Sequence, residues 1–482
     1  MNYELLNYLE SSIDRHWLKY YADELSSNKE KQEQVSKRIY QRIRDKIDII
    51  SAAIQHSEKN AIFVAETNPV EFIAAFLAGV ITEVNIFLCN PSWQQQEWQQ
   101  VFDLVIPDLV FGDETVSHIA KLELTSQQLL PIDRKFNTRS HIMIPTGGTS
   151  GKIKFAIHTW ETLTASVNGF KTFFECEKID SVCTLPLYHV SGLMQLMRSL
   201  LTQGNLIICS YKSVLDRLIN EDKSSYFISL VPTQLQYLIE LNPHWLKEFK
   251  TVLVGGAPPK RSLLNSAIKY NIPVALTYGM TETASGIIAL TSKEFLAGND
   301  SNGRVLPHAK VSIKKQRSTN SIEAEKYRDN KIGLITINST SLGLGYYPQL
   351  LSPTRSLVTD DLGYFDREGY LHLVGRDSQK IITGGENVFP AEVEKAIYAT
   401  NLVKDVCVIG IPDNKWGQAV TAIYVTTTEN VLNSVKQQMR SQLAKYKQPK
   451  NWIEVDRIPR NNRGKINYPK LKAIAIEATV ET

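Results

Sequence analysis

Up to about Asp300 the chain alternates short apolar runs with helix-length amphipathic segments. Ala61–Ala65 and Val84–Leu88 flank the apolar stretch Glu71–Ile81, and the same rhythm returns in Leu206–Cys209, Tyr226–Val231, Thr251–Val254 and Val274–Thr277. Each short run is bounded by turn residues and separated from the next by a helix-sized segment, which predicts strands alternating with helices and an α/β fold. Ahead of them, Asn28–Ile50 is charge-rich but carries Val35, Ile39, Ile43, Ile47 and Ile50 at helical spacing. That pattern predicts a surface helix with one face on the core.

Beyond Asp300 the texture shifts to shorter strands with frequent turns, among them Ala309–Ile313 and Gly333–Ile337. This predicts a small β-rich subdomain closing the first domain. The run Gly363–Gly375 reads as a hairpin turning at Asp366–Gly369. A second domain should follow, with a helix Pro390–Ala399 opened by proline, strands Val403–Ile411 and Ala419–Thr426, and a helix through Leu443. The expected organisation is a large N-terminal domain, residues 1–376, of layered α/β subdomains plus a small β subdomain. A small α+β domain, residues 377–482, completes it.

With 482 residues, 43% apolar and 22% charged, the chain has the composition of a globular protein and can bury a large core. Its 54 basic and 50 acidic residues leave a net charge of +4 without a long basic block, so no nucleic-acid footprint is expected. Cys89, Cys176, Cys183, Cys209 and Cys407 are odd in number and form no C-x-x-C pair, which argues against a disulfide framework or a structural zinc site and for a reducing compartment. The acidic start (Glu4, Glu10, Asp14) lacks a signal or transit pattern, and the longest apolar run, Phe72–Ile81, falls short of the roughly 20 residues that span a bilayer. A cytoplasmic protein without a transmembrane segment is expected; a homo-oligomer is compatible with the sequence.

The chemistry is announced by Ile144-Pro-Thr-Gly-Gly-Thr-Ser-Gly-Lys-Ile-Lys-Phe155. Glycines for tight turns, the hydroxyls of Thr146, Thr149 and Ser150, and the charges of Lys152 and Lys154 suit a loop whose N–H groups close around phosphate. It is not a Walker A loop, because Thr146 holds the first glycine's place and Ile153 follows Lys152. Downstream, Val254-Gly-Gly-Ala-Pro-Pro259 offers bare backbone against which a flat ring could lie. Tyr278-Gly-Met-Thr-Glu282 then sets an aromatic face, a hydroxyl and a carboxylate at a strand's C-terminal end, where open α/β sheets bind ligands. Thr359-Asp-Asp-Leu-Gly363 supplies adjacent carboxylates at an expected turn; Gly375–Glu392 joins the expected boundary to a glycine pair; Ile458–Ile466 sets a lysine on a glycine turn.

These motifs, in this order, resemble those of the adenylate-forming acyl-CoA ligases, and the likeness spans roughly residues 60–475. The resemblance implies a two-step reaction with ATP, Mg²⁺, a carboxylic acid and coenzyme A, and a C-terminal domain that rotates between an adenylation and a thioester-forming pose. It implies phosphate binding by Thr146, Gly147, Gly148, Thr149, Ser150, Gly151, Lys154 and Thr281, with Ile153 where proline is usual. Gly255, Gly256, Ala257, Tyr278 and Gly279 match the adenine site, Asp361 the ribose site, Arg376 a second nucleotide contact and Glu282 the magnesium ligand. Lys465 matches the catalytic lysine, Ser378 the hinge, and Gly384 and Gly385 the passage for the thiol arm. Asp360 replaces the usual glycine before Asp361.

For the acid, Thr184–Ser199 and Ser229–Leu235 resemble the branch that makes o-succinylbenzoyl-CoA in menaquinone and phylloquinone synthesis. The resemblance places His189 beside the acid pocket. A substrate that keeps a second carboxylate asks for a cation or hydroxyl donors, and Ser191 and Arg198 are candidates, although a surface arginine on that helix would read identically. The other readings are a ligase for another aryl or medium-chain acid, an adenylation enzyme loading a carrier protein, and a nucleotide-binding module without catalysis.

Overall fold

The computed structural model describes residues 3–11, 15–21, 29–55, 60–113, 140–147, 152–218, 222–315, 332–350, 356–384, 386–413, 416–426, 431–440, 442–460 and 466–480. The chain divides into two compact units, Met1–Lys310 with Asn338–Ser356, and Val311–Ile337 with Leu357–Thr482.

The first unit holds two large sheets. One runs in the order Gln349–Leu350, Gly345–Tyr346, Ile153–His158, Ile142–Gly147, Asn85–Leu88, Ala61–Ala65, Leu109–Gly112. The other runs Leu18–Tyr20, Leu206–Ile208, Asp180–Cys183, Tyr226–Leu230, Thr251–Val254, Val274–Met280, Ser285–Leu290, Arg304–Val305; it is parallel as far as Val274–Met280 and antiparallel beyond. The apolar runs are continuous because both faces of the strands are buried. Ile62, Val64, Ile86 and Leu88 face a core shared with five helices, whereas Phe63, Phe87 and Cys89 point the other way into an aromatic cluster with Trp98, Phe102 and Phe155.

Three of those helices are Lys29–Ile54, Pro69–Ile81 and Val190–Leu201, and the others are Tyr3–Ser11 and Trp160–Phe173. The first buries Ile39, Ile43, Ile47 and Ile50, as its spacing predicts. In the second, Asn68 caps the start, its Oδ1 accepting the Val70 N–H at 2.8 Å, with Pro69 in the first turn. Every residue from Phe72 to Ile81 is buried. It is a core helix, and among the described residues no helix is long and apolar enough to cross a membrane.

The second unit contains most of an antiparallel sheet, Ala309–Lys315, Gly333–Ser339, Leu357–Phe365 and Leu371–Arg376, and a second sheet built around Val403–Asp413 and Gly417–Thr426. The helix Pro390–Ala399 packs on the latter and is tied to the 3-10 turn Lys445–Lys447 by a buried ion pair: Lys447 Nζ lies 2.7 Å and 2.9 Å from the two Glu392 oxygens. None of the five cysteines is in a disulfide, and all are buried.

The structure corrects two sequence-based expectations. The strand beginning at Val274 runs on to Met280, so Tyr278 and Gly279 lie within it, at a bulge, rather than after it. Asp360 and Asp361 lie inside the strand Leu357–Phe365, not at a turn.

Candidate functional site

The described ends of the phosphate-loop motif lie in two paired strands. Ile142–Gly147 pairs antiparallel with Ile153–His158, setting Thr146 opposite Lys154 and Gly147 opposite Ile153. The Ile153 N–H donates to Gln100 Oε1 at 3.1 Å, which ties the start of the second strand to a neighbouring helix. Gly148, Thr149, Ser150 and Gly151 lie outside the described residues. Lys152 and Lys154 are exposed.

In the same unit, Thr281–Thr283 forms a 3-10 turn followed by Ala284 and Ser285 at φ +50° and +89°, a region disfavoured for side-chain-bearing residues. What holds it there is a full set of donors. The Thr281 carbonyl accepts from His158 Nε2 at 2.8 Å, that of Glu282 from the Gly343 N–H at 2.8 Å, and that of Thr283 from Ser341 Oγ at 2.9 Å. The Ala284 carbonyl accepts from Ser166 Oγ at 2.6 Å and the Ser285 carbonyl from Thr283 Oγ1 at 2.7 Å. With successive carbonyls engaged by protein, the backbone at Thr281 and Glu282 has little freedom to re-aim its side chains. His158 is fully buried, which lowers its pKa to about 4; it is neutral, and a carbonyl partner fixes the proton on Nε2.

Glu282 Oε1 accepts from the Tyr346 hydroxyl at 2.5 Å. Burial first, then the charge of Glu282, pushes that hydroxyl far above a phenol's ordinary range, so it donates throughout the working pH range. Among the described residues Oε2 accepts no hydrogen bond, and no group of three or more metal-ligating side chains occurs. One carboxylate with an open oxygen suits Mg²⁺, which dehydrates reluctantly and is bound by one or two carboxylates together with substrate phosphates.

Gly255 follows the strand Thr251–Val254, and Gly256 has φ +82°, a backbone conformation that a side chain would strain. Ala257 continues that turn. The neighbouring strand, paired in register from Val252–Val274 to Val254–Leu276, brings Tyr278 and Gly279 to the same end of the sheet.

His189 occupies the N-cap position of the helix Val190–Leu201, its ring edge-on to Tyr188. The surface alternative for Arg198 is excluded: the side chain is 5% exposed, donates to Ser285 Oγ at 3.1 Å and lies over the Phe170 ring at 4.1 Å. Burial lowers its pKa to about 10, which leaves it charged at neutral pH. Arg198 Nε, Gln195 Oε1 and both ring nitrogens of His308 are buried without a hydrogen-bond partner among the described residues. Ser191 is exposed in the first turn of the helix, two turns from Arg198, so the two candidates have different surroundings.

In the second unit, strand alternation sends the neighbouring carboxylates to different partners. Asp361 Oδ1 takes Arg376 Nε at 3.1 Å across the sheet, and Asp360 holds Ser378. The two cannot together grip one ribose as adjacent turn residues would. Gly384, φ +60°, turns between Ile381–Thr383 and Glu386–Val388 against the Trp416 ring; Gly385 lies outside the described residues. Lys465 also lies outside them, in a segment whose ends are paired by the Arg460–Ile466 bridge, with Arg460 bonded to Asp405 Oδ2 at 3.0 Å.

Residues 27–347 match the AMP-binding enzyme family, and residues 392–465 match the AMP-binding enzyme C-terminal domain. The chain belongs to the AMP-binding enzyme family. A 2-succinylbenzoate–CoA ligase of Listeria monocytogenes is 31% identical over 410 residues, 81% of this chain and 83% of that protein. One from Oceanobacillus iheyensis is 32% identical over 67% of this chain and 68% of its own length. Among solved structures, o-succinylbenzoate CoA synthetase from Bacillus subtilis with its acyl-adenylate intermediate superposes with TM-score 0.79 at 23% identity, covering 97% of each chain. ATP-bound MatB from Rhodopseudomonas palustris gives 0.78 at 21% identity, covering 98% and 99%. These likenesses establish an α/β fold of the same architecture. Tyr346, His158, Ser285 and Phe170 carry no short-range signal in the sequence and come to the site only through the tertiary structure.

Proposed function

We propose that the protein is an ATP-dependent, AMP-forming 2-succinylbenzoate–CoA ligase. The observation that carries this reading is the match to ligases of that name over four-fifths of the chain, joined to a buried, charged Arg198 in the segment expected to line the acid pocket.

The acid's carboxylate attacks the α-phosphorus of ATP, forming the acyl-adenylate as the bond to pyrophosphate breaks. The coenzyme A thiol then attacks the acyl carbon, losing its proton and expelling AMP. In the first step two anions meet, so the site must offset charge on the phosphoryl oxygens and the leaving pyrophosphate. Thr146, Gly147, Gly148, Thr149, Ser150, Gly151 and Lys154 hold the phosphates, Thr281 the α-phosphate, and Lys465 the developing charge. Mg²⁺, held by Glu282, supplies Lewis-acid neutralisation of the phosphate oxygens. Gly255, Gly256, Ala257, Tyr278 and Gly279 receive the adenine; Asp361 and Arg376 receive the ribose. His189 borders the acid, and Arg198 or the Ser191 hydroxyl answers its second carboxylate. In the second step Lys465 is no longer required, Gly384 and Gly385 admit the thiol arm, and residues 377–482 turn about Ser378.

The test is thioester formation with ATP and Mg²⁺ across o-succinylbenzoate, benzoate, a medium-chain and a long-chain fatty acid. The expected outcome is a preference for o-succinylbenzoate by orders of magnitude. Equal use of another acid would keep the ligase chemistry and discard the pocket assignment.

A further inference from the structure

The segment Gly343–Tyr347 is stitched to both halves of the nucleotide site in the first unit. Toward the phosphate hairpin, Leu344 N–H donates to Ile157 O at 2.7 Å, Tyr347 N–H to Phe155 O at 2.9 Å, and Tyr346 stands opposite Ala156 in the sheet. Toward the acidic turn, the Gly343 N–H takes the Glu282 carbonyl and the Tyr346 hydroxyl takes the Glu282 carboxylate. Lys154 Nζ lies over the Tyr346 ring, 5.5 Å from its centroid. One tyrosine therefore touches a cation through its face and an anion through its hydroxyl. Among the described residues Lys154 and Glu282 form no ion pair with each other.

From this geometry we infer that Tyr346 is a positioning residue: its hydroxyl aims Glu282 at the magnesium of Mg·ATP, and its ring keeps Lys154 from pairing with that carboxylate. The inference rests on the proposed nucleotide site. The hydroxyl binds one carboxylate oxygen without neutralising it, so the charge stays available to a divalent cation, whereas a salt bridge to Lys154 would consume both charges. Groups that orient a metal ligand from behind are worth about 10- to 100-fold in metal affinity or activity when removed.

Two variants separate the roles. Tyr346→Phe keeps the ring and loses the hydroxyl; Tyr346→Leu loses both. Binding of Mn²⁺ in the presence of ATP, without acid, is read by electron paramagnetic resonance, beside the Mg²⁺ dependence of pyrophosphate exchange. Tyr346→Phe should weaken Mn²⁺ binding about tenfold, with exchange restored by excess Mg²⁺, a rescue that a merely structural defect would not show. Tyr346→Leu should weaken Mn²⁺ binding further and also raise the KM for ATP. If Tyr346→Leu does not fold, the cycle of Tyr346→Phe with Glu282→Gln decides, because the two changes must then be non-additive in Mn²⁺ affinity. Unchanged Mn²⁺ affinity in a folded Tyr346→Phe, or a fall in exchange at every Mg²⁺ concentration alike, would overturn the inference. Failure of the unaltered protein to bind Mn²⁺ with ATP would instead overturn the nucleotide-site reading beneath it.

Discussion

Asp360 grips Ser378 with both carboxylate oxygens: Oδ1 accepts the backbone N–H at 3.0 Å and Oδ2 the hydroxyl at 2.5 Å. The carboxylate thus restrains the 3-10 turn Asp377–Gln379, at the position where the family resemblance puts the hinge. Glycine, usual at position 360 by that resemblance, could make neither bond. Asp360→Gly should leave adenylation unchanged and speed thioester formation from supplied acyl-adenylate, with Ser378→Ala, which keeps the backbone N–H bond, having a smaller effect in the same direction and adding nothing to Asp360→Gly. Single-turnover kinetics of each half-reaction read this directly, and a slower thioester step in Asp360→Gly would reverse the reading.

Lys465 is assigned to the first half-reaction alone. Lys465→Ala should lower adenylation by about a hundred- to thousandfold, the usual effect of losing one preorganised donor to developing charge. Thioester formation from supplied acyl-adenylate should survive. Equal loss in both steps would show that the lysine serves the fold or both poses.

Arg198 offers a specificity test. Arg198→Met, which keeps an unbranched side chain over Phe170, should cut the preference for o-succinylbenzoate over benzoate by about ten- to a hundredfold, the worth of a hydrogen bond to a charged group. Comparing kcat/KM for the two acids separates this from a packing defect, which would depress both equally.

His158 makes stability depend on pH. Its folded pKa, about 4, lies below the ordinary 6.5, so between those values the unfolded chain binds a proton that the native protein refuses. The His158 contribution is complete above pH 6.5 and is lost as the pH falls toward 4. Denaturant unfolding at several pH values should show the slope fall by about 1.4 kcal/mol per pH unit in His158→Gln, within that window only. His308, whose pKa burial also lowers to about 4, should contribute a similar proton and remain in the variant's residual slope.

The Glu392–Lys447 pair is a stability element of the second unit. Lys447 is 3% exposed, so Glu392→Gln leaves an ammonium buried without its counter-charge and should cost about 3 kcal/mol. Replacing both, as Glu392→Gln with Lys447→Met, should cost less than the single change, measured by denaturant unfolding.

By itself the sequence determined the strands and helices whose periodicity is strong and local. Ala61–Ala65, Thr251–Val254 and Pro390–Ala399 occur where their patterns predict, and the Ile39, Ile43, Ile47 and Ile50 stripe is buried as its spacing requires. It also carried the motifs that place the chain among the AMP-binding enzymes, since glycines, hydroxyls and charges for phosphate chemistry are concentrated in short runs. Only the tertiary structure decided how those runs are held. The turn at Thr281–Ser285 depends on donors from His158, Ser166, Ser341 and Gly343, and Glu282 depends on Tyr346, 64 residues away in the chain. A hydrogen bond between distant residues leaves no periodic trace, because its partners are set by sheet order and register rather than by spacing. The same reason separates Asp360 from Asp361: adjacent letters suggest one site, and the pleat of the strand sends one carboxylate to Ser378 and the other to Arg376.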